Sequence, residues 1–182
     1  MQEGIFGRKL IKLGLKKLSI EDIQMLSWKE LEEEIERWIK TSNVALKILF
    51  PTEQKLCDWV LFGFSSTADL SFTDVYRESA LQLLNFADAI GNGSQSPERL
   101  FKVIDMFETM CDLIPEFKSV FRDQYSRSLQ NKATTIWKRL GEAVGGIFME
   151  LVNLIRQDLA KEFSFRCWTS PDYPLRDDLP SR

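Results

Sequence analysis

The sequence predicts an all-α fold, and three observations predict it. Apolar residues recur three or four apart in four long stretches, near residues 28–50, 72–90, 100–114 and 129–155, which is the period of one buried helix face. Serine followed three residues later by an acidic residue heads two of these stretches, as in a capping box. Corners rich in glycine, or marked by proline, separate them. At 182 residues the chain suffices for one domain with a core or for a few repeats of helix pairs.

Residues 1–18 form a basic segment in which Arg8, Lys9, Lys12, Lys16 and Lys17 are threaded between Ile5, Phe6, Leu10, Ile11, Leu13, Leu15 and Leu18. That interleaving is unlike a secretory signal, which keeps its charges ahead of an unbroken apolar run. Gly7 and Gly14 weaken it as a helix. Ser19 with Asp22 and Ser27 with Glu30 are the next N-caps. From Ser27 one face carries Leu31, Ile35, Trp38, Ser42, Ala45 and Leu49, broadened by Ile39, Leu46 and Phe50, while Glu32, Glu33, Glu36 and Lys40 lie opposite. Glu33 with Arg37 and Glu36 with Lys40 stand four apart in the favourable order, so the acidic run reads as a solvated face, the alternative being a dock for a basic partner.

Pro51 predicts a break and a restart, with Leu56, Val60 and Trp59 anchoring a short helix that ends near Gly63. Residues 63–70 read as a polar connection. Ser71 with Asp74 opens the next helix, whose apolar face is Phe72, Val75, Tyr76, Ala80, Leu83, Leu84, Ala87 and Ile90. Gly91, Asn92, Gly93 and Ser94 make a turn into Ser96 and Pro97, an N-cap followed by proline at the first helical position. The helix that follows presents Leu100, Ile104, Phe107, Cys111 and Ile114, widened by Val103 and Met110, until Pro115 interrupts it.

The last long segment begins around Ser126 to Leu129 and runs to about Phe163, with Leu129, Ala133, Ile136, Trp137, Leu140, Val144, Ile147, Phe148, Leu151, Leu154 and Ile155 at helical spacing. Gly141 and Gly145 inside it permit either a close helix approach or a bend near residue 145. Residues 164–182 hold three of the six prolines without a helical period and read as a disordered tail. The chain thus divides into 1–18, a helical segment 19–163, and the tail. The candidate structural core is Leu31, Ile35, Trp38, Leu49, Leu83, Phe86, Leu100, Ile104, Phe107, Ile114, Ile136, Trp137, Leu140 and Phe148.

Chemistry is constrained by what is missing from the whole chain. Histidine is absent and the three cysteines, Cys57, Cys111 and Cys167, are far apart, which removes histidine general bases, Cys-His nucleophile pairs and the common structural zinc patterns. Cys57 and Cys111 read as small core hydrophobes in a reducing compartment. No phosphate-cradling glycine loop is present, and Gly91 with Gly93 follows a helix rather than a strand. We expect no enzymatic activity, no cofactor and no metal. A net charge of −3 supplies no general attraction for nucleic acid or anionic lipid. Lys9, Lys12, Lys16 and Lys17 are the candidate lipid-contact residues, and a looser basic group lies at Lys132, Lys138 and Arg139.

Three stretches carry a resemblance: LSIEDIQMLSWKELEEEIERWIKTSNVALKILFPTEQKLCDWVLFG at 18–63, FTDVYRESALQLLNFADAIGNGSQSPERLFKVIDMFETMCDLIPEF at 72–117, and TTIWKRLGEAVGGIFMELVNLIR at 134–156. Together they resemble the middle part of the plant Exo70 proteins, subunits of the exocyst, over about residues 17–163. The resemblance implies an elongated rod of stacked antiparallel helices, resembling a helical repeat, and a cytoplasmic protein peripheral to the plasma membrane or secretory vesicles. It implies a non-enzymatic scaffold that helps tether secretory vesicles before fusion. The partners it implies are other exocyst subunits and, in plants, immune proteins and pathogen effectors. The family's long N-terminal part and its lipid-binding end are not matched, so a truncated product with weak or absent membrane contact is expected, and tethering by this chain alone is not. The alternatives are a peripheral phosphoinositide-binding protein acting through residues 1–18, and a non-functional fragment. In the stacked reading, the helix from Ser96 lies between the one opening at Ser71 and the one through Trp137.

Overall fold

In the computed structural model, which describes residues 18–60, 65–93, 96–122 and 126–168, the chain enters through two capping boxes. The Ser19 hydroxyl accepts the Asp22 N–H at 3.1 Å while the Asp22 carboxylate accepts the Ser19 N–H at 2.9 Å, starting α1, Ile20–Met25. That backbone bond holds the Asp22 carboxyl below its usual range. Ser27 and Glu30 repeat the arrangement at α2, Trp28–Val44. Each box satisfies two of the donors that a helix start leaves unpaired.

Pro51 does not break the chain. A π turn, Ala45–Leu49, leads straight into α3, Phe50–Val60, and the Phe50 N–H reaches back five residues to the Ala45 carbonyl. The wider turn takes up the backbone adjustment that a proline ring demands of the residue four before it. It also inserts one residue into the helical phase. The buried positions of α2 and the π turn, which include Leu31, Ile35, Trp38, Ser42, Ala45 and Leu46, continue as Phe50 and Gln54 with half-buried Cys57, not as Leu49, Leu56 and Val60. Leu49 is half-buried, whereas Leu56, Trp59 and Val60, expected as anchors, are exposed.

Helix α4, Ser65–Gly91, begins before Ser71, so 65–70 belong to the helix rather than to a connection. No glycine or proline interrupts SSTADLS, and the Ser71–Asp74 spacing falls inside a helix already under way. Its buried face includes Phe72, Tyr76, Ala80, Leu83, Leu84, Phe86, Ala87 and Ile90, whereas Val75 faces outward. A short 3-10 turn, Pro97–Arg99, leads into α5, Leu100–Val120. Ser96 has the backbone of an N-cap, but its hydroxyl donates to Glu98 Oε1 at 2.8 Å instead of capping.

The buried face of α5 is Leu100, Val103, Met106, Met110, Leu113, Phe117 and Val120. Ile104, Phe107 and Ile114 are half-buried and Cys111 is exposed, a rotation from the expected stripe. The helix is apolar around more than half of its circumference, so spacing alone admits both registers, and the neighbours choose. Pro115 sits inside α5 on its exposed side, where the carbonyl it leaves free belongs to exposed Cys111 and stays open to water. Buried Phe117 and Val120 hold the turn beyond it.

Helix α6, Arg127–Trp168, closes the set at 42 residues, about 60 Å long. Among the described residues there is no strand. The arms alternate in direction. Trp38 and Phe50 of the first arm meet Leu83 and Tyr76 of α4, and Glu36 of the first meets Lys102 of α5. Phe107 of α5 meets Trp137 of α6, and Phe121, which caps α5, meets Gln130. α5 therefore packs between α2 and α6, with α4 diagonal to it, rather than between α4 and α6.

Five rings close one end: Phe50, Phe72, Tyr76, Phe117 and Phe121, with centroids 4.4 to 5.9 Å apart between neighbours. Each such pair contributes about 0.5–1.5 kcal/mol beyond area burial. At mid-height the Trp38 ring stacks on Phe86 at 6.2 Å, and its Nε1–H donates to the Leu83 carbonyl at 2.9 Å. At the other end Ile23 of α1 is buried beside Ala89 and Ile90. Leu140 and Ile136 of α6 are buried, and Trp137 lies half-buried against Phe107, rings 5.7 Å apart. A Cβ on Gly141 would stand 3.1 Å from that Phe107 ring, so Gly141 is where the two helices approach closely; at Gly145 a Cβ would meet nothing within 4 Å.

Phe148, expected in the core, is 54% exposed. Spacing identifies a helix face but not what stands opposite, and at residue 148 α6 is leaving its neighbours behind. Gly91, the last residue of α4, lies against Arg139 and Leu140. α6 continues as helix to Trp168, so 164–168 belong to it rather than to the expected tail, and residues 1–17 and 169–182 lie outside the described residues.

Two substitutions test this packing by urea unfolding followed by far-ultraviolet circular dichroism. Trp38→Ala lowers stability by about 3–5 kcal/mol through lost buried volume and the lost indole hydrogen bond to the Leu83 carbonyl. Gly145→Ala raises it by about 0.5–1 kcal/mol, because helix propensity is gained with no collision. A destabilised Gly145→Ala protein would show that the space beside that glycine is not open.

Candidate interaction surfaces

No convergent cluster of reactive side chains is found among the described residues, and the features that could engage another molecule are faces of helices. Among those residues no three His, Cys, Asp or Glu side chains are grouped to hold a metal ion, and no helix is long and apolar enough to cross a membrane. Cys57 is half-buried on α3, where burial and the nearby Glu53 and Asp58 carboxylates push its thiol up and away from the reactive thiolate. Cys111 is exposed on α5.

The acidic face of α2 is partly occupied. Lys102 of α5 places its Nζ 2.7 Å from Glu36 Oε1 and 3.4 Å from Glu32 Oε1, tying the two helices together. Arg37 bridges Glu33 at 3.4 Å and buried Glu34 at 3.2 Å. The carboxylates offered to a basic partner are thereby reduced. The basic group on α6 is likewise engaged: Lys132 donates to Asn85 at 2.6 Å and Arg139 pairs with Asp88, both on α4, leaving Lys138 exposed. Lys9, Lys12, Lys16 and Lys17 lie outside the described residues.

A cleft of about 250 Å³ opens between α1 and the α4–α5 corner, with Gln24, Asn92 and Arg99 among its polar lining. The Arg99 guanidinium lies 5.5 Å from the Trp28 ring centroid, a cation–π contact that occupies its charge. The cleft brings together no acid and base that could act in concert.

Among the described residues, exposed large hydrophobics include Phe101 on α5 and Met25 on α1, and several more gather on two helix faces. On α3, Leu56, Trp59 and Val60 stand outward with Ile48 of the π turn, and Trp59 is 78% exposed. At the opposite end, α6 carries exposed Phe148, Met149, Leu154, Ile155 and Leu159 on the stretch that outruns its partners. Neither was legible as a surface from spacing. The first depends on the phase change in the π turn and the second on where the neighbouring helices stop.

The described residues form an antiparallel stack of long helices with outward apolar side chains, and the comparison of sequences gives the family of this all-α chain. The family model for the C-terminal region of the Exo70 exocyst complex subunit matches residues 36–167, and the chain belongs to that family. Among its relatives, exocyst complex component EXO70B1 of Arabidopsis thaliana is 69% identical over 150 residues, covering 82% of this chain and 24% of the relative. Exocyst complex component EXO70B2 of the same plant is 52% identical over 154 residues, covering 84% and 26%. Exocyst complex component EXO70A1, also of Arabidopsis thaliana, is 36% identical over 157 residues, covering 86% and 25%. The chain spans about a quarter of the length of these relatives.

The Lys102 bridge makes a pH prediction. Hydrogen bonding and attraction from Lys102 hold the Glu36 carboxyl below its ordinary value of 4.5, and the same contact raises Lys102. A depressed carboxyl adds stability that is present above its unfolded value and disappears as pH falls through the folded one; the raised ammonium is the other side of the same contact, which needs Glu36 ionised and is lost again as pH rises through the raised Lys102 value. In Lys102→Met both contributions vanish, so its urea midpoint should differ from that of the native chain at pH 7 and converge with it in acid below Glu36's folded value. Parallel curves across the acid range would refute the bridge.

Proposed function

We propose that this chain is a non-enzymatic interaction scaffold of the exocyst, contributing to the tethering of secretory vesicles at the plasma membrane. Its family membership across residues 36–167 carries this reading. The protein acts from the cytoplasm, peripheral to the membrane, and holds other exocyst subunits through helix faces rather than through a pocket. Among those faces the α3 surface is the proposed contact for a partner subunit of the complex, because an outward tryptophan flanked by Leu56 and Val60 is the residue type on which interface energy concentrates. Immune proteins and pathogen effectors form the second group of partners to look for. Phosphate-backbone and nucleic-acid binding are not part of the proposal.

The decisive experiment is recovery of exocyst subunits from plant extract on the tagged full chain, beside sedimentation with phosphoinositide liposomes. Subunits should be recovered without a lipid requirement, and Trp59→Ala should reduce recovery about tenfold or more, the effect of losing a hot-spot side chain. Sedimentation with liposomes that is lost when Lys9, Lys12, Lys16 and Lys17 are neutralised, with no exocyst component recovered, would instead make this a lipid-binding protein. Recovery of nothing in either arm would make it an inert fragment.

A further inference from the structure

We propose that the cleft between α1 and the α4–α5 corner binds an apolar monocarboxylate, a single carboxylate carried on a small aliphatic group. Its floor is Ile23 of α1, Leu31 of α2, and Ala89 and Ile90 of α4, and its polar lining is Gln24, Asn92 and Arg99. The deciding group is Arg99. Three arginines of the described residues are half-buried, Arg37, Arg99 and Arg139. Arg37 is paired with Glu33 and Glu34, and Arg139 with Asp88, but Arg99 has no carboxylate partner among the described residues. Drawing a guanidinium partly out of water without an anion is unfavourable, and a bound carboxylate would supply the missing partner. The Trp28 ring, its centroid 5.5 Å from the guanidinium carbon, steadies the group from one side but offers no oxygen to the N–H fork that matches a carboxylate. On the other side, Nη1 stands 3.6 Å from where a Gly93 side chain would begin, so the charge lies at the corner that edges the cleft.

Size and charge narrow the ligand. At about 250 Å³ the cleft falls below the roughly 300–1,000 Å³ of pockets that enclose drug-sized molecules, so it suits one aliphatic group and its acid. The lining supplies one positive charge and no negative one, while Glu21 and Asp22 of α1 and Glu98 of the 3-10 turn are its neighbours in sequence. A phosphate dianion would meet a single cation with carboxylates close by, whereas a monoanion is matched one to one. Four apolar residues beneath that cation favour an aliphatic substituent over a polar one. The C-terminal residue of a peptide and a free organic acid share this chemistry, and the probes below separate them.

Nuclear magnetic resonance titration of the isotope-labelled full chain tests this with N-acetyl-leucine, its neutral amide, and a glycine-serine peptide ending in leucine with a free C-terminus. Both acids should shift the amide signals of Asn92 and Gly93 and the side-chain N–H of Arg99, and the neutral amide should bind at least tenfold more weakly. Tighter binding of the peptide than of N-acetyl-leucine assigns the cleft to a chain terminus, and binding no tighter assigns it to a free acid. Arg99→Gln should abolish the preference for acid over amide. Gln24 is exposed on α1, so Gln24→Lys and Gln24→Glu should keep the fold and decide the matter if Arg99→Gln does not fold. The lysine should tighten binding of the acids several-fold, and the glutamate should weaken it by as much. An amide that binds as well as the acid overturns the proposal, as do shifts that map elsewhere or acids indifferent to these substitutions. So does the absence of any shift at millimolar probe, the result expected if residues 1–17 or 94–95 fill the cleft themselves. The probes need no exocyst component, so failure here is separable from failure of the recovery from plant extract.

Discussion

The register of this molecule depends on Trp38. Its ring is buried at mid-height of the first arm, stacks on Phe86, and donates its one N–H to the Leu83 carbonyl of α4. A buried indole without an acceptor would cost more than a typical hydrogen bond contributes, so the first arm and α4 cannot slide past one another by a turn without that loss. With those two helices locked, the five-ring cluster at one end and the Ile23 contact at the other fall into place. The Lys102 bridge then sets the height of α5. The close approach at Gly141 sets that of α6.

Much of the architecture could be read from residue order because it is local. The two capping boxes are four-residue arrangements of Ser with Asp or Glu, and the apolar faces containing Leu31, Ile35, Trp38, Leu83, Leu100 and Leu140 follow from a period of 3.6. What escaped was decided by neighbours or by small departures from that period. Cys111 and Met106 are both plausible core residues on a helix apolar on several sides, and the packing of α2 and α6 chose Met106. Pro115 reads as a stop, but a proline whose freed carbonyl faces water, followed by two buried residues, is tolerated. Phe148 has the right spacing and nothing opposite it.

Family membership and surface physics converge on the same kind of protein from different directions. Kinship places the chain in an exocyst-subunit family, while folding leaves its surplus apolar area on two faces at opposite ends of the bundle. The charged faces are less available than their composition suggests. Glu32 and Glu36 are drawn to Lys102, and Lys132 and Arg139 are drawn to α4. Among the described residues these charges tie neighbouring helices together.

The π turn at residues 45–49 gives that arrangement an unusual origin. One extra residue in a single turn rotates everything downstream by about 100°. The side chains that a regular helix would have tucked against the bundle, Leu56, Trp59 and Val60, are thereby delivered to its exterior. The outward tryptophan is therefore a property of backbone count more than of side-chain choice. A lineage could gain or lose this face through one inserted or deleted codon, without altering any residue that forms it.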